Sequence, residues 1–319
     1  MIAQPYLIDV HHHILPPEYV EALDSVGQSR SGGVDLPAWN LEAALALMDR
    51  QGIATAIASI SSPGVYFGDC AFARDLARRC NEFSANLVRE HPQRFGALAL
   101  LPLPDVDAAL SELEHALDAL GLDGVILQAS IGNQYLGDPT FDPVFAELNR
   151  RQTVVLLHPT TPSGSEVPQL NLPPFLVEFV FDTTRAIANL IYNGTLERYP
   201  NFTLIAAHAG GTVPYLAKRL AVAADVMPQL REKAPQGAIA YLKRLYYDTA
   251  ISATPYTFTS LQALVEPSHI LFGSDYPYLP EELIEDTVRG VATYDGFDAQ
   301  ARVAIERDNG LKLFPRFRK

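Results

Sequence analysis

Short apolar runs alternate with amphipathic stretches along the whole chain. The opening run, Leu7-Ile8-Asp9-Val10-His11-His12-His13-Ile14-Leu15, is a strand pattern that carries three histidines and stops at Pro16-Pro17. A helical pattern over 41–51 ends at Gly52, and 53–60 is a continuous apolar run of the kind found in a strand covered on both faces. The spacing predicts a long helix over 69–90, a strand over 95–101, and a helix over 106–120 with Leu110, Leu113, Leu117 and Leu120 on one face. A strand over 124–128 and a helix over 142–151 follow. The second half repeats the scheme. Strands are expected over 153–158, 202–208, 245–249 (the weakest) and 269–275. Helices are expected from 174 to about 199, over 213–224 and over 256–265, with two terminal helices after the last strand.

Strand and helix thus alternate about eight times. That rhythm predicts an α/β fold of the (β/α)₈ TIM-barrel type, with small insertions and C-terminal helices, rather than an open doubly wound sheet. No Gly-x-Gly-x-x-Gly or phosphate-loop motif opens any helix, which removes the main support for a nucleotide-binding reading. No linker interrupts the pattern, so residues 1–319 are expected to form one domain. The loops at 27–40 and 160–173 are expected to be lids or insertions over one end.

Composition narrows the picture. A net charge of -13 argues against a nucleic-acid partner, because phosphate binding needs a clustered positive surface. Cys70 and Cys80 are too few for a disulfide framework or a cysteine zinc site, and are expected to be reduced core thiols. No stretch approaches the roughly 20 apolar residues of a membrane span. Met1-Ile2-Ala3-Gln4 lacks the basic and apolar regions of a signal peptide, so the cytoplasm is the expected location.

The candidate chemistry sits at strand ends. Alternation along a strand sends His11 and His13 to one side and His12 to the other, where it is expected to pack beneath the helices. Two imidazoles side by side are half of a metal site. The run lies inside a strand pattern, which argues against a tag remnant. His158, His208 and Asp275 also terminate predicted strands, and in a barrel those carboxyl ends converge on the face that carries the chemistry. One strand-end histidine is commonly a satisfied core residue; four strands sharing the pattern are hard to explain by packing. His91, His115 and His269 fall on helices or at a strand start and read as structural or solvated. Asp9 either supports the metal from beneath or satisfies backbone donors.

Ile8-Asp9-Val10-His11-His12-His13-Ile14-Leu15-Pro16, Leu157-His158-Pro159, Tyr199-Pro200, Ala207-His208-Ala209-Gly210-Gly211 with Pro214, and Leu271-Phe272-Gly273-Ser274-Asp275-Tyr276-Pro277 carry a resemblance. Together, in this order and over nearly the whole chain, they resemble the amidohydrolase superfamily, in the branch of aminocarboxymuconate-semialdehyde decarboxylase. The segment from Pro37-Ala38-Trp39-Asn40 through Ile60-Ser61-Ser62-Pro63-Gly64 is most similar to the 6-methylsalicylate decarboxylases. The resemblance implies one divalent metal held by His11, His13, His158 and Asp275, with His208 beside it as general acid/base. Such mixed donors suit Zn²⁺ first and Mn²⁺ as the alternative. Gln128 stands where binuclear members of the superfamily place a bridging lysine, which points to a single metal. The muconate-semialdehyde enzymes clamp a dicarboxylate with arginines, but 225–230 reads Asp-Val-Met-Pro-Gln-Leu, so a monocarboxylated aromatic ring is the better expectation.

The expected reaction is metal-dependent, non-oxidative decarboxylation of a salicylate-like or unsaturated carboxylate, with His208 or Asp275 delivering the proton. Hydrolysis of a lactone, amide or ester-like bond is the alternative, because the same ligands serve both; a non-enzymatic metal-binding barrel is the third reading. Trp39, Tyr66, Phe67, Phe175, Phe179, Tyr276 and Tyr278 are candidates for a ring sandwich, each also explicable by packing. Arg185 reads as a helix ion pair. The expected partners are a small carboxylate substrate and a second copy of the chain, in a homodimer or larger homo-oligomer, with no nucleic acid and no membrane.

Overall fold

A computed structural model of the chain describes residues 6–162 and 170–318. The N-terminal tetrapeptide and the centre of the 160–173 loop, read above as leaderless and as a lid, lie outside the described residues. Eight strands follow one another in chain order around one sheet: β1 (Leu7–His13), β2 (Ile53–Ser59), β3 (Phe95–Leu100), β4 (Gly124–Gln128), β5 (Val154–His158), β6 (Thr203–Ala206), β7 (Tyr246–Asp248) and β8 (Ile270–Leu271). Every neighbouring pair is parallel. The chain after β8 returns to β1: Val10 donates to the Phe272 carbonyl at 3.0 Å and Asp275 to the His11 carbonyl at 2.9 Å. This is the (β/α)₈ barrel that the alternation predicts.

The strands are buried along nearly their whole length, because helices cover one face and inward side chains fill the other. The helices over Leu41–Gln51 and Asp142–Arg151 have the predicted bounds. The long helix runs Cys70–Glu90, with the Asp69 carboxylate accepting from the amides of Ala71 and Phe72. Cys70, at its first position, is partly exposed, while Cys80 is buried as expected and burial pushes its thiol up.

Some elements differ from the reading of the sequence, each for a local reason. The helix expected over 106–120 is α-helical only to Glu114, then widens into a π turn over His115–Ala119. The 27–40 loop carries a small hairpin, Arg30–Ser31 against Val34–Asp35, whose two central glycines take φ of 57° and 85°. The last strand is two residues long instead of seven. Beyond it the Ser274 amide and hydroxyl bond to the Asp9 carboxylate at 3.0 and 2.6 Å rather than to a sheet neighbour. The sixth strand stops at Ala206, because His208 and Ala209 turn to left-handed backbone with φ of 54° and 55°.

Candidate metal centre and adjoining cavity

The strand pleat sends His11 and His13 into the barrel mouth. His12 goes the other way, stacking on the Tyr276 ring at 4.8 Å and bonding Asp9 through Nδ1 at 3.0 Å. His158 ends β5, and Asp275 follows β8. His11, His13, His158 and Asp275 are all buried and bring their ligand atoms within 4.8 Å of one another, a grouping able to hold a metal ion. One Asp275 oxygen lies 3.3 Å from the Nε2 atoms of both His11 and His13.

The second ring nitrogen of each histidine is committed to oxygen. His11 Nδ1 meets Asp248 at 2.7 Å, His13 Nδ1 meets the Ser59 hydroxyl at 3.0 Å, and His158 Nδ1 meets the Pro159 carbonyl at 2.7 Å. The carboxylate and the carbonyl assign the proton to Nδ1 of His11 and His158, and the Ser59 hydroxyl can accept one from His13. The other nitrogen is then free to donate an electron pair, the arrangement a metal-bound imidazole needs. The Nε2 atoms of His11 and His13 then face each other at 2.9 Å, a separation that requires a proton or a cation between them. The donor set fits a divalent metal.

The electrostatics agree. Burial lowers His13 to about 4. His158 falls well below the ordinary histidine value, through burial and then its imidazole neighbours. Burial pulls His11 down too, but Asp248 and Asp275 overcome it and raise the ring to about 10. Burial raises Asp275, yet hydrogen bonds and charge from His11, with further bonds from His13 and His208, hold it well below the usual carboxylate range. Two neutral imidazoles and an ionised carboxylate are in ligand form at neutral pH, and a metal would displace the proton from His11.

His208 lies beside this group, with Nε2 3.5 Å from the second Asp275 oxygen and its ring centre 4.9 Å from that of His11. Left-handed backbone at a non-glycine residue costs of order 1 kcal/mol or more. Asp248 helps to hold it, accepting the His208 amide on Oδ1 at 2.9 Å while its other oxygen holds His11. The glycines after His208 permit close approach: a Cβ at Gly211 would stand 2.2 Å from the Val180 carbonyl oxygen. Reading the sequence missed Asp248. It ends the observed β7, one residue before the end expected from the sequence, so a strand-end rule relaxed by one residue would have pointed to it. Asp9 takes its second reading, accepting from the backbone amides of His11 and Ser274 and from His12.

A cavity of about 550 Å³ opens beside the cluster, walled by the 30–33 turn and by loops after β2 to β5. The four ligands are not in its wall; they lie buried next to it. Of the aromatic candidates, Tyr66 and Phe67 line it. Phe179 sits 6.3 Å from the His158 ring, and Tyr278 sits 5.5 Å from that of His13. Burial pushes the Tyr278 hydroxyl up to about 12. Trp39 packs on Phe83, and Tyr276 on His12. Arg185 faces Glu178 at 3.9 Å, the helix ion pair expected of it. Behind the wall, Asp182 accepts from the Ser130 hydroxyl at 3.1 Å and the Thr160 amide at 2.9 Å, and burial raises it to about 6 against those bonds.

Comparison with known proteins places this arrangement. The amidohydrolase family model matches residues 8–316. The chain is 36% identical to a 6-methylsalicylic acid decarboxylase of Penicillium expansum, over 98% of this chain and 97% of that one. It is 38% identical to a protein of the same name in Aspergillus aculeatus, again over 98% and 97%. A crystal structure described as amidohydrolase II superimposes with a TM-score of 0.90 at 32% identity, covering 97% of this chain and 99% of the other.

Proposed function

The chain belongs to the amidohydrolase family, and on that premise we propose that it is a metal-dependent decarboxylase of a salicylate-type aromatic monocarboxylate. The observation that carries the reading is the buried group of three histidines and one aspartate beside a cavity large enough for a substituted ring. Its relatives over nearly full length are named for decarboxylation of 6-methylsalicylic acid.

In this reading His11, His13, His158 and Asp275 hold one divalent cation, for which their mixed nitrogen and oxygen donors suit zinc or manganese. A cation bound there supplies Lewis acidity toward the substrate's carboxylate and neighbouring oxygen. Asp248, Ser59 and the Pro159 carbonyl orient the three imidazoles. Asp275 and His208, with Nε2 and Oδ2 3.5 Å apart, are the proton store nearest the centre. One of them protonates the ring carbon that carries the carboxylate; the bond to CO₂ then breaks and its electron pair restores the aromatic ring. Phe67, Leu101 and Ile126 give the cavity wall an apolar face on which a ring can rest.

The reading extends to one domain over 1–319, a cytoplasmic location, and a homodimer or larger homo-oligomer. Exposed Tyr215, Val226 and Met227 on and just after one helix support the last of these, which sedimentation would test. Incubating the metal-loaded chain with a panel of salicylates in D₂O tests the main reading. CO₂ release with deuterium at the vacated ring carbon is expected. Cleavage of lactones or amides with no CO₂ from any salicylate would replace it with metal-dependent hydrolysis.

A further inference from the structure

The cavity wall holds a polar group that the metal centre leaves idle. Gln128, the last residue of β4, pairs in register with His158 at the end of β5. Residues paired this way on parallel neighbours point to the same side, so its side chain enters the barrel mouth with His158. Its Oε1 and Nε2 are buried, and among the described residues neither has a hydrogen-bond partner. A side-chain amide offers two donors and an acceptor oxygen with two sites, and buried groups of this kind in native proteins are nearly always matched.

The surroundings make the mismatch specific. Ser62 and Thr160, two other polar residues of the wall, bond each other at 3.1 Å. The Arg30 guanidinium is paired with Asp35 at 2.8 Å. Val65, Phe67, Leu101 and Ile126 are apolar. The loop after β2 lies against the aliphatic stem of Gln128, so that a Cβ at Gly64 would stand 3.4 Å from its Cγ. Gln128 itself lines the cavity, so a turn about its side-chain torsions would bring the amide to a ligand there.

We propose that Gln128 is a specificity residue whose amide takes a hydroxyl on the substrate's ring, with Oε1 accepting the hydroxyl proton or Nε2 donating to its oxygen. The inference rests on the reading of the site as one for aromatic carboxylates. A neutral amide suits a neutral hydroxyl; a second carboxylate would want a cation, and the arginine in the wall is already paired. A site with a buried polar group discriminates strongly against the analogue that leaves that group unmatched.

The test is a thermodynamic cycle on the full, zinc-loaded chain. Calorimetry measures the affinities of salicylate and benzoate for the parent and for Gln128→Leu, with CO₂ release followed in parallel. Whatever the metal contributes to reading the hydroxyl cancels between the two proteins. The parent's preference for salicylate should shrink by about tenfold in the variant. An unchanged ratio, or no binding of salicylate to the parent, overturns the proposal. The unliganded variant should keep its metal and melt at the same temperature or higher, since leucine removes an unmatched amide. A marked fall in melting temperature would show that protein partners hold the amide, and would overturn it too. Coupling without CO₂ supports the role of Gln128 and defeats the decarboxylase reading alone; CO₂ without coupling does the reverse.

Discussion

The two sides of the barrel mouth are built differently. On the side of β1, β7 and the chain after β8, most described polar groups are interlinked, with His12 Nε2 and His208 Nδ1 left without a partner among them. Asp248 holds both His11 and the His208 amide, Asp9 holds His12 and Ser274, and Asp275 reaches three imidazoles. On the side of the loops after β2 to β5 lie the cavity, the glycine-centred 30–35 hairpin that helps to wall it, and an amide with no partner among the described residues. Chemistry at a metal needs fixed donors, and on that side the protein's own bonds hold them in place. Recognition needs unmatched groups, so the other side retains polar capacity for a ligand to fill.

The largest effect is expected on the side that holds the donors. His158→Ala should lower the metal content below one equivalent per chain, and activity should fall by about 10³-fold or more, because metal-ion catalysis contributes several kcal/mol. Elemental analysis of the purified variant decides it; unchanged metal, or two tightly held ions in the parent, would defeat the assignment. His208→Ala should keep its metal while turnover falls by about 10²–10⁴-fold, the usual worth of a positioned proton-transfer group. Loss of metal in that variant would make His208 a ligand.

A smaller effect should come from Asp248→Asn, which keeps the shape and retains an oxygen for the His208 amide but turns a donor toward His11 Nδ1. Metal affinity or activity should drop by about 10–100-fold, read by competition with a chromogenic chelator. No change would mean that Asp248 does not set the His11 tautomer.

The smallest effect on activity is expected behind the cavity, at Asp182. Burial raises its folded pKa to about 6, above that of the unfolded chain, so its share of stability is complete below about pH 4 and is lost as pH rises through about 6. That share amounts to at most about 3 kcal/mol. Asp182→Asn should therefore gain stability relative to the parent between pH 4 and 7. Melting curves that stay parallel across that window would show that Asp182 remains ionised in the fold.

Much of this was legible before any coordinates. Alternating apolar runs and amphipathic stretches are local signals, and the eight strands they predict match the barrel in order and, apart from the shortened sixth and last, nearly in bounds. The candidate ligands were legible because each lies at or near the carboxyl end of an expected strand, and parallel strands in a barrel all end on one face. Asp248 escaped because it lies on the weakest strand, three residues long, and its importance comes from touching His11, 237 positions away. The shortened last strand escaped for a similar reason: Asp9 takes the Ser274 groups that a ladder would otherwise use.

The order of elements, the inward pair His11 and His13, and the placing of His158, His208 and Asp275 at one end were determined by the sequence itself, through periodicities that act over a few residues. Tertiary structure alone decided which nitrogen of each imidazole is free, the left-handed turn that aims His208, and the unmatched amide of Gln128. Those depend on atoms from distant strands meeting within hydrogen-bonding range, and no local pattern encodes such meetings.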